Sequence, residues 1–247
     1  MCALRLTYHG HSCFELSDGS HSLIVDPFLS GNPQADVGPE KIRVQFVLLT
    51  HGHGDHLGDA LEIARRNQAT IVAPYELAAF CQSQGAEAHA MHIGGSWHFP
   101  FGRVKLTMAL HGAAIEAGAD SGSRADRAAG LLYGGNPCGY LVDMGGKRVY
   151  HAGDTGLFGD MALIGRLEHP DVALLPIGDN FVMGPQDALE AARMLQAPLV
   201  IPMHYNTFPV IRQDAEVFGA EVEAELGGAA GPGIHCRVMA PGDVLEL

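Results

Sequence analysis

Residues Thr50 to Gly58 read THGHGDHLG, and this stretch constrains the fold more tightly than any other in the chain. It places His51, His53, Asp55 and His56 within six positions, directly after the apolar run VQFVLL (Val44 to Leu49). The run reads as a buried strand, and LGDALEIARR after it reads as a helix. A loop that leaves a strand end and opens a helix is where α/β folds carry their chemistry. Gly52 and Gly54 alternate with the candidate ligands, which lets the backbone turn tightly. Imidazole and carboxylate donors together suit zinc, manganese or iron. Four donors so close along the chain do not easily reach a single ion, so a centre with two ions is expected.

The chain has 247 residues, 47% of them hydrophobic and 17% charged, which is a globular composition with enough apolar material for a sizeable core. The net charge of −13 disfavours general binding to nucleic acid or to an anionic membrane. In the central loop, Arg124 and Arg127 form the only basic pair. No apolar span reaches the length of a membrane helix, and no charged-then-apolar leader opens the chain. The five cysteines, Cys2, Cys13, Cys81, Cys138 and Cys236, are odd in number, widely spaced and without a C-x-x-C pair. A reducing cytoplasm is therefore the expected compartment.

In order, LRLTY, SCFEL and HSLIV read as strands, with a hairpin turn at Asp18-Gly19. The last of them ends at Asp26-Pro27 and leaves a carboxylate at its end, placed to accept an N–H from a metal-binding imidazole. Helices are expected over Asp59 to Gln68 and Glu76 to Gln84, on either side of the strand TIVAP. A second hairpin, WHFPFGRVKLTMAL, delivers His111. From His111 to Pro137 the chain is rich in Ala and Gly without a clear period, and a lid over the site is expected there. CGYLVDMGGKRVYHAGDTG is a third hairpin, turning at Gly145-Gly146 and ending at Asp154. It echoes the N-terminal one: strand, glycine turn, strand, then aspartate. Helices at Phe158 to Leu167 and Gln186 to Gln196 flank the strand DVALLPIG, and PLVIPMHYN ends in His204. A helix near Ala215 to Leu226 and the short strands HCRVM and DVLEL complete the chain. No linker divides it, so residues 1–247 read as one domain, with helices covering β-sheet.

Four strand ends thus carry candidate ligands: the His51 cluster, His111, Asp154 and His204. Together they suggest one shared rim. His9, His11 and His151 flank strand ends beside it and are candidates for substrate contact or ligand support. Tyr205 and Asn206 are candidates to polarise a substrate oxygen. The remaining histidines read as ordinary.

The segments YHGHSCFEL, IVDPFLSGNP, LLTHGHGDHLGDA, YHAGDTGLFGDM, DVALLPIGDNF and VIPMHYNTFP resemble the metallo-β-lactamase superfamily. They are most similar to its metal-dependent hydrolases near the ascorbate-6-phosphate lactonases. The resemblance implies a four-layer αββα sandwich with a two-metal centre at one edge of the paired sheets. It also implies that His51, His53 and His111 hold one ion and Asp55, His56 and His204 the other, with Asp154 bridging and Asp55 orienting the attacking hydroxide. The chain departs from the pattern at His111-Gly112-Ala113 and at Asp179, which bear on the substrate wall.

The expected activity is metal-dependent hydrolysis of an ester-type bond in a small molecule, a lactone or other cyclic ester, or a phosphodiester. Zinc is the leading ion, with manganese and iron as alternatives. Two rival readings stand beside it: an RNA-processing nuclease of the same superfamily, and a metal-binding or sensory protein without catalysis. The acidic charge and the lack of a Lys/Arg-rich arm weigh against the nuclease. The sequence leaves a homo-oligomer open.

Overall fold

A computed structural model describes residues 3–116, 130–228, 231 and 233–247. The first part of the chain forms strands β1 (Arg5–Tyr8), β2 (Phe14–Ser17), β3 (Ser22–Val25) and β4 (Phe46–Leu48), then helices α1 (Gly54–Leu57) and α2 (Ala60–Asn67). Strand β5 (Thr70–Pro74), helix α3 (Tyr75–Ser83) and strand β6 (Ala88–Met91) follow. The middle comprises β7 (Ser96–Phe99), β8 (Gly102–Met108), β9 (Ala114–Glu116), β10 (Leu131–Tyr133), β11 (Cys138–Met144) and β12 (Lys147–His151). The last part runs α4 (Met161–Glu168), β13 (Val172–Pro176), α5 (Pro185–Leu195), β14 (Leu199–Met203), α6 (Ala215–Val222), β15 (His235–Cys236) and β16 (Val244–Glu246).

Two seven-stranded sheets result, ordered β16-β1-β2-β3-β4-β5-β6 and β15-β14-β13-β12-β11-β8-β7. They share a plan. The antiparallel hairpin β2–β3 leads into parallel β4, β5 and β6, just as β11–β12 leads into parallel β13, β14 and β15. The echo between the two hairpin segments of the sequence is therefore visible in the topology.

Alternation along the strands explains the layering. On β3, Leu23 and Val25 belong to the core shared with the second sheet, while Ile24 points to the opposite face. On β4 and just beyond it, Leu48 faces inward, whereas Val47 and Leu49 join Ile63 of α2 and Leu77, Ala78 and Cys81 of α3. A strand buried on both faces must be apolar on both, as these are. On the other side, α5 packs on β13 and α6 on β15. Helix, sheet, sheet, helix is the order of the four layers, the αββα sandwich. Tyr140 on β11 crosses the gap between sheets. Its hydroxyl lies 2.8 Å from the carbonyl oxygen of Leu49 and 2.9 Å from that of Val72.

Several sequence expectations need correction. The region after His111 is not wholly irregular, because β9 and β10 pair antiparallel there. Three-residue strands are too short to show a period. The lid expected in this region, with Arg124 and Arg127, falls largely on residues 117–129, outside the described residues. The final helix stops at Val222 and continues as a wider π turn over Glu223–Gly227. No helix among the described residues is long and apolar enough to cross a membrane.

Candidate metal centre

The candidate ligands lie beyond the C-terminal ends of neighbouring strands. His51 follows β4, His111 follows β8, Asp154 follows β12 and His204 follows β14. His53 precedes the single turn α1, which carries Asp55 and His56. Backbone bonds lock these loops to one another. The Cys138 N–H donates to the Thr50 carbonyl at 3.0 Å, and the His204 N–H donates to the His11 carbonyl at 2.8 Å. The Thr155 hydroxyl oxygen accepts from the Leu110 N–H at 2.9 Å, tying the His111 loop to the Asp154 loop. Gly153 is required just before Asp154: its φ is +64°, and a Cβ would sit 2.5 Å from the Cys138 carbonyl oxygen. Gly52 and Gly54 turn the chain without a left-handed backbone, and Gly54 opens the single turn α1. Gly52 is pressed against Ile115, whose Cγ1 would lie 2.5 Å from an added Cβ. His11, Asp26 and His204 are non-glycine residues with positive φ, at +56°, +46° and +54°. Such strain persists only where surrounding structure holds it, and it clusters at functional sites.

Donor atoms converge in three overlapping groups, each spanning no more than 4.8 Å: His51, His53 and His111; His51, His56 and Asp154; and His11, Asp55, His56 and His204. His53 Nδ1 lies 2.9 Å from His51 Nε2 and 3.3 Å from His111 Nε2. Asp154 Oδ1 lies 3.2 Å from His56 Nε2, and its Oδ2 lies 3.5 Å from His111 Nε2 and 2.9 Å from His204 Nε2. Donors about 2.0–2.1 Å from one tetrahedral ion stand about 3.3–3.4 Å apart, so this spacing suits divalent cations. His56 Nε2 and Asp154 Oδ1 are buried without a hydrogen-bond partner, a cost that a bound cation removes. The residues fit a metal.

A shell of hydrogen bonds sets which ring nitrogen faces the centre. The Thr50 hydroxyl donates to Asp26 Oδ2 at 2.7 Å, so at 2.9 Å from His51 Nδ1 its oxygen accepts. His51 therefore carries its proton on Nδ1 and turns a bare Nε2 inward. His56 Nδ1 lies 2.8 Å from Asp26 Oδ2, which leaves its Nε2 facing Asp154. Asp26, fully buried, thus holds two of the rings at once. Burial pushes His51 and His111 below the ordinary histidine range and His11 down to about 4, favouring the neutral imidazole that binds metals. Burial also opposes charge on His56, but Asp154 and Asp26 outweigh it and pull that ring upward.

The other candidates separate clearly. His151 Nε2 donates to the Ser12 carbonyl at 2.9 Å, and its Nδ1 accepts from the Gly153 N–H at 3.1 Å, so it positions the approach to Asp154. His9 turns away, with Nδ1 at 2.8 Å from Asp36. Tyr205 is buried in the main core cluster, and Asn206 accepts from the Gln213 N–H at 2.9 Å. His11 alone of the flanking histidines lies in the cluster. Sequence reading also missed Phe28 and Phe208, half-buried rings whose centroids are each 5.7 Å from His11. Phe208 lies close behind His204 in sequence, and Phe28 close behind Asp26, the only signals available.

Residues 5–204 match the family model described as the β-lactamase superfamily domain. A UPF0173 metal-dependent hydrolase of Desulforamulus reducens is 55% identical over 99% of this chain and 100% of its own length. Another, from Heliobacterium modesticaldum, is 50% identical over 99% of this chain and 98% of its own. Among solved structures, Igni18, a metallo hydrolase of Ignicoccus hospitalis, aligns with a TM-score of 0.84 at 36% identity, covering 99% of this chain and 98% of that one. The fold is that of the metallo-β-lactamase class. The chain belongs to the β-lactamase superfamily and, within it, to the UPF0173 metal-dependent hydrolases.

Proposed function

We propose that this hydrolase cleaves an ester-type bond in a small molecule, a lactone or other cyclic ester or a phosphodiester, at a centre of two divalent ions. His51, His53 and His111 hold one ion, Asp55, His56 and His204 hold the other, and Asp154 serves both. Zinc is the proposed occupant, consistent with a set of imidazole and carboxylate donors. When bound, such a pair acidifies water and stabilises negative charge developing on a carbonyl or phosphoryl oxygen. The observation that carries the reading is the position of Asp154 Oδ2, 3.5 Å from His111 Nε2 in one half and 2.9 Å from His204 Nε2 in the other.

The chain's own residues supply the rest. Asp55, the partly exposed carboxylate of the centre with its side chain 29% accessible, orients the incoming hydroxide while ligating. Phe28 and Phe208 provide an apolar wall beside His11, suited to the carbon skeleton of a small substrate. The net charge of −13 disfavours a polyanion such as RNA. A reducing cytoplasm suits Cys13, Cys81, Cys138 and Cys236, all free thiols.

A panel of lactones, cyclic esters and phosphodiesters, assayed on zinc-loaded protein, tests the proposal. Turnover of at least one class is expected, with loss of it in Asp154→Ala. Activity that survives this substitution does not come from the proposed centre.

A further inference from the structure

His11 sits in the turn between β1 and β2, fully buried, and the assignment above gives it no role. We propose that His11 is an eighth donor of the centre, acting through Nε2 on the half formed by Asp55, His56 and His204. The inference rests on the two-ion reading and deepens it.

Three observations carry it. First, His11 Nε2 lies 3.3 Å from Asp55 Oδ2, within the same donor group as His56 and His204, and has no hydrogen-bond partner. Second, its tautomer follows from its neighbours. The Thr207 hydroxyl donates to Gln34 Oε1 at 2.9 Å, so the same oxygen, 2.8 Å from His11 Nδ1, accepts there. The proton is on Nδ1, and Nε2 presents only a lone pair. A lone pair and a carboxylate oxygen facing each other in a buried site repel unless a cation lies between them. Their separation matches donors sharing one ion at about 2.0–2.1 Å each.

Third, the ring has no freedom to leave. The His11 carbonyl accepts from the His204 N–H at 2.8 Å and from the Tyr8 hydroxyl at 3.2 Å, so its left-handed backbone is tied to another candidate ligand. Its ring packs 4.1 Å from that of His204 and edge-on against both Phe28 and Phe208. The consequence is an asymmetric centre. With Asp154 serving both, one half has four protein donors and the other five. The five-donor half is therefore expected to hold its ion more tightly and at higher coordination number.

Cobalt(II) is the probe, because its visible absorption weakens as coordination rises from four to five. Wild type, His11→Ala and Thr207→Val are each titrated with cobalt against a competing chelator. Wild type is expected to take two ions per chain. His11→Ala should lose about tenfold or more in affinity for one of them, with stronger absorption from that site. Thr207→Val, which unpins the tautomer and keeps the ring, should weaken the same site several-fold. It also carries the test if His11→Ala does not fold.

Wild-type affinity and spectrum in His11→Ala overturn the inference, as does an unchanged Thr207→Val. A wild-type chain that binds no cobalt overturns the two-ion reading itself, a different result from two ions bound without help from His11.

Discussion

Asp26 Oδ2 lies 2.8 Å from His56 Nδ1, and neither side chain is exposed to solvent. The same carboxylate accepts the Thr50 N–H at 2.8 Å and the Thr50 hydroxyl at 2.7 Å, so it orients His51 as well as His56. Asp26→Asn keeps the shape and tolerates the left-handed backbone, but removes the charge that fixes both rings. It should weaken metal binding about 10–100-fold, read by chelator competition. Wild-type affinity would show that His51 and His56 are oriented without it.

Tyr140 joins the two sheets directly behind the ligand loop. Tyr140→Phe leaves the Val72 carbonyl its bond from the Leu49 N–H, but deprives the Leu49 carbonyl of the hydroxyl. The expected loss of stability in urea unfolding is about 1–2 kcal/mol, the usual cost of orphaning a buried acceptor. A variant as stable as wild type would mean that the carbonyl finds water instead.

Glu168 at the end of α4 has a side chain only 11% exposed and pairs with Lys105 at 2.6 Å and Arg103 at 3.1 Å. Burial alone raises its pKa, but these cations outweigh it and bring the group from 4.5 to about 2. A carboxyl depressed on folding stabilises fully above its unfolded pKa and loses that stabilisation as pH falls through the folded one. Glu168→Gln should therefore cost about 1–2 kcal/mol at pH 7, after allowance for solvent screening of the partly exposed cations. The gap should close between pH 5 and about 2, seen in denaturant melts across that range. A gap that stays constant with pH would assign the effect to packing.

The sequence carried most of this architecture because each ligand loop follows a strand whose apolar pattern is unmistakable. THGHGDHLG after VQFVLL, and PMHY after PLVI, mark strand ends by a sudden change from apolar to ligating residues. Asp26 was legible as a second support for an imidazole because a carboxylate at a strand end faces the same rim. What stayed hidden depends on contacts between segments distant in the chain. His11 gains its place from Thr207 and Gln34, and His151 is occupied by Ser12 and Gly153; no local pattern distinguishes the two. The β9–β10 pair escaped notice because so short a ladder leaves no periodic signal.

Metal content of the purified chain, measured by elemental analysis after reconstitution and removal of excess ion, tests the central claim most directly. The account predicts two divalent ions per chain, falling in Asp154→Ala while His235→Ala, at a distant and exposed site, retains both. A chain that hydrolyses its substrate with no bound metal, or that keeps both ions in Asp154→Ala, would contradict it.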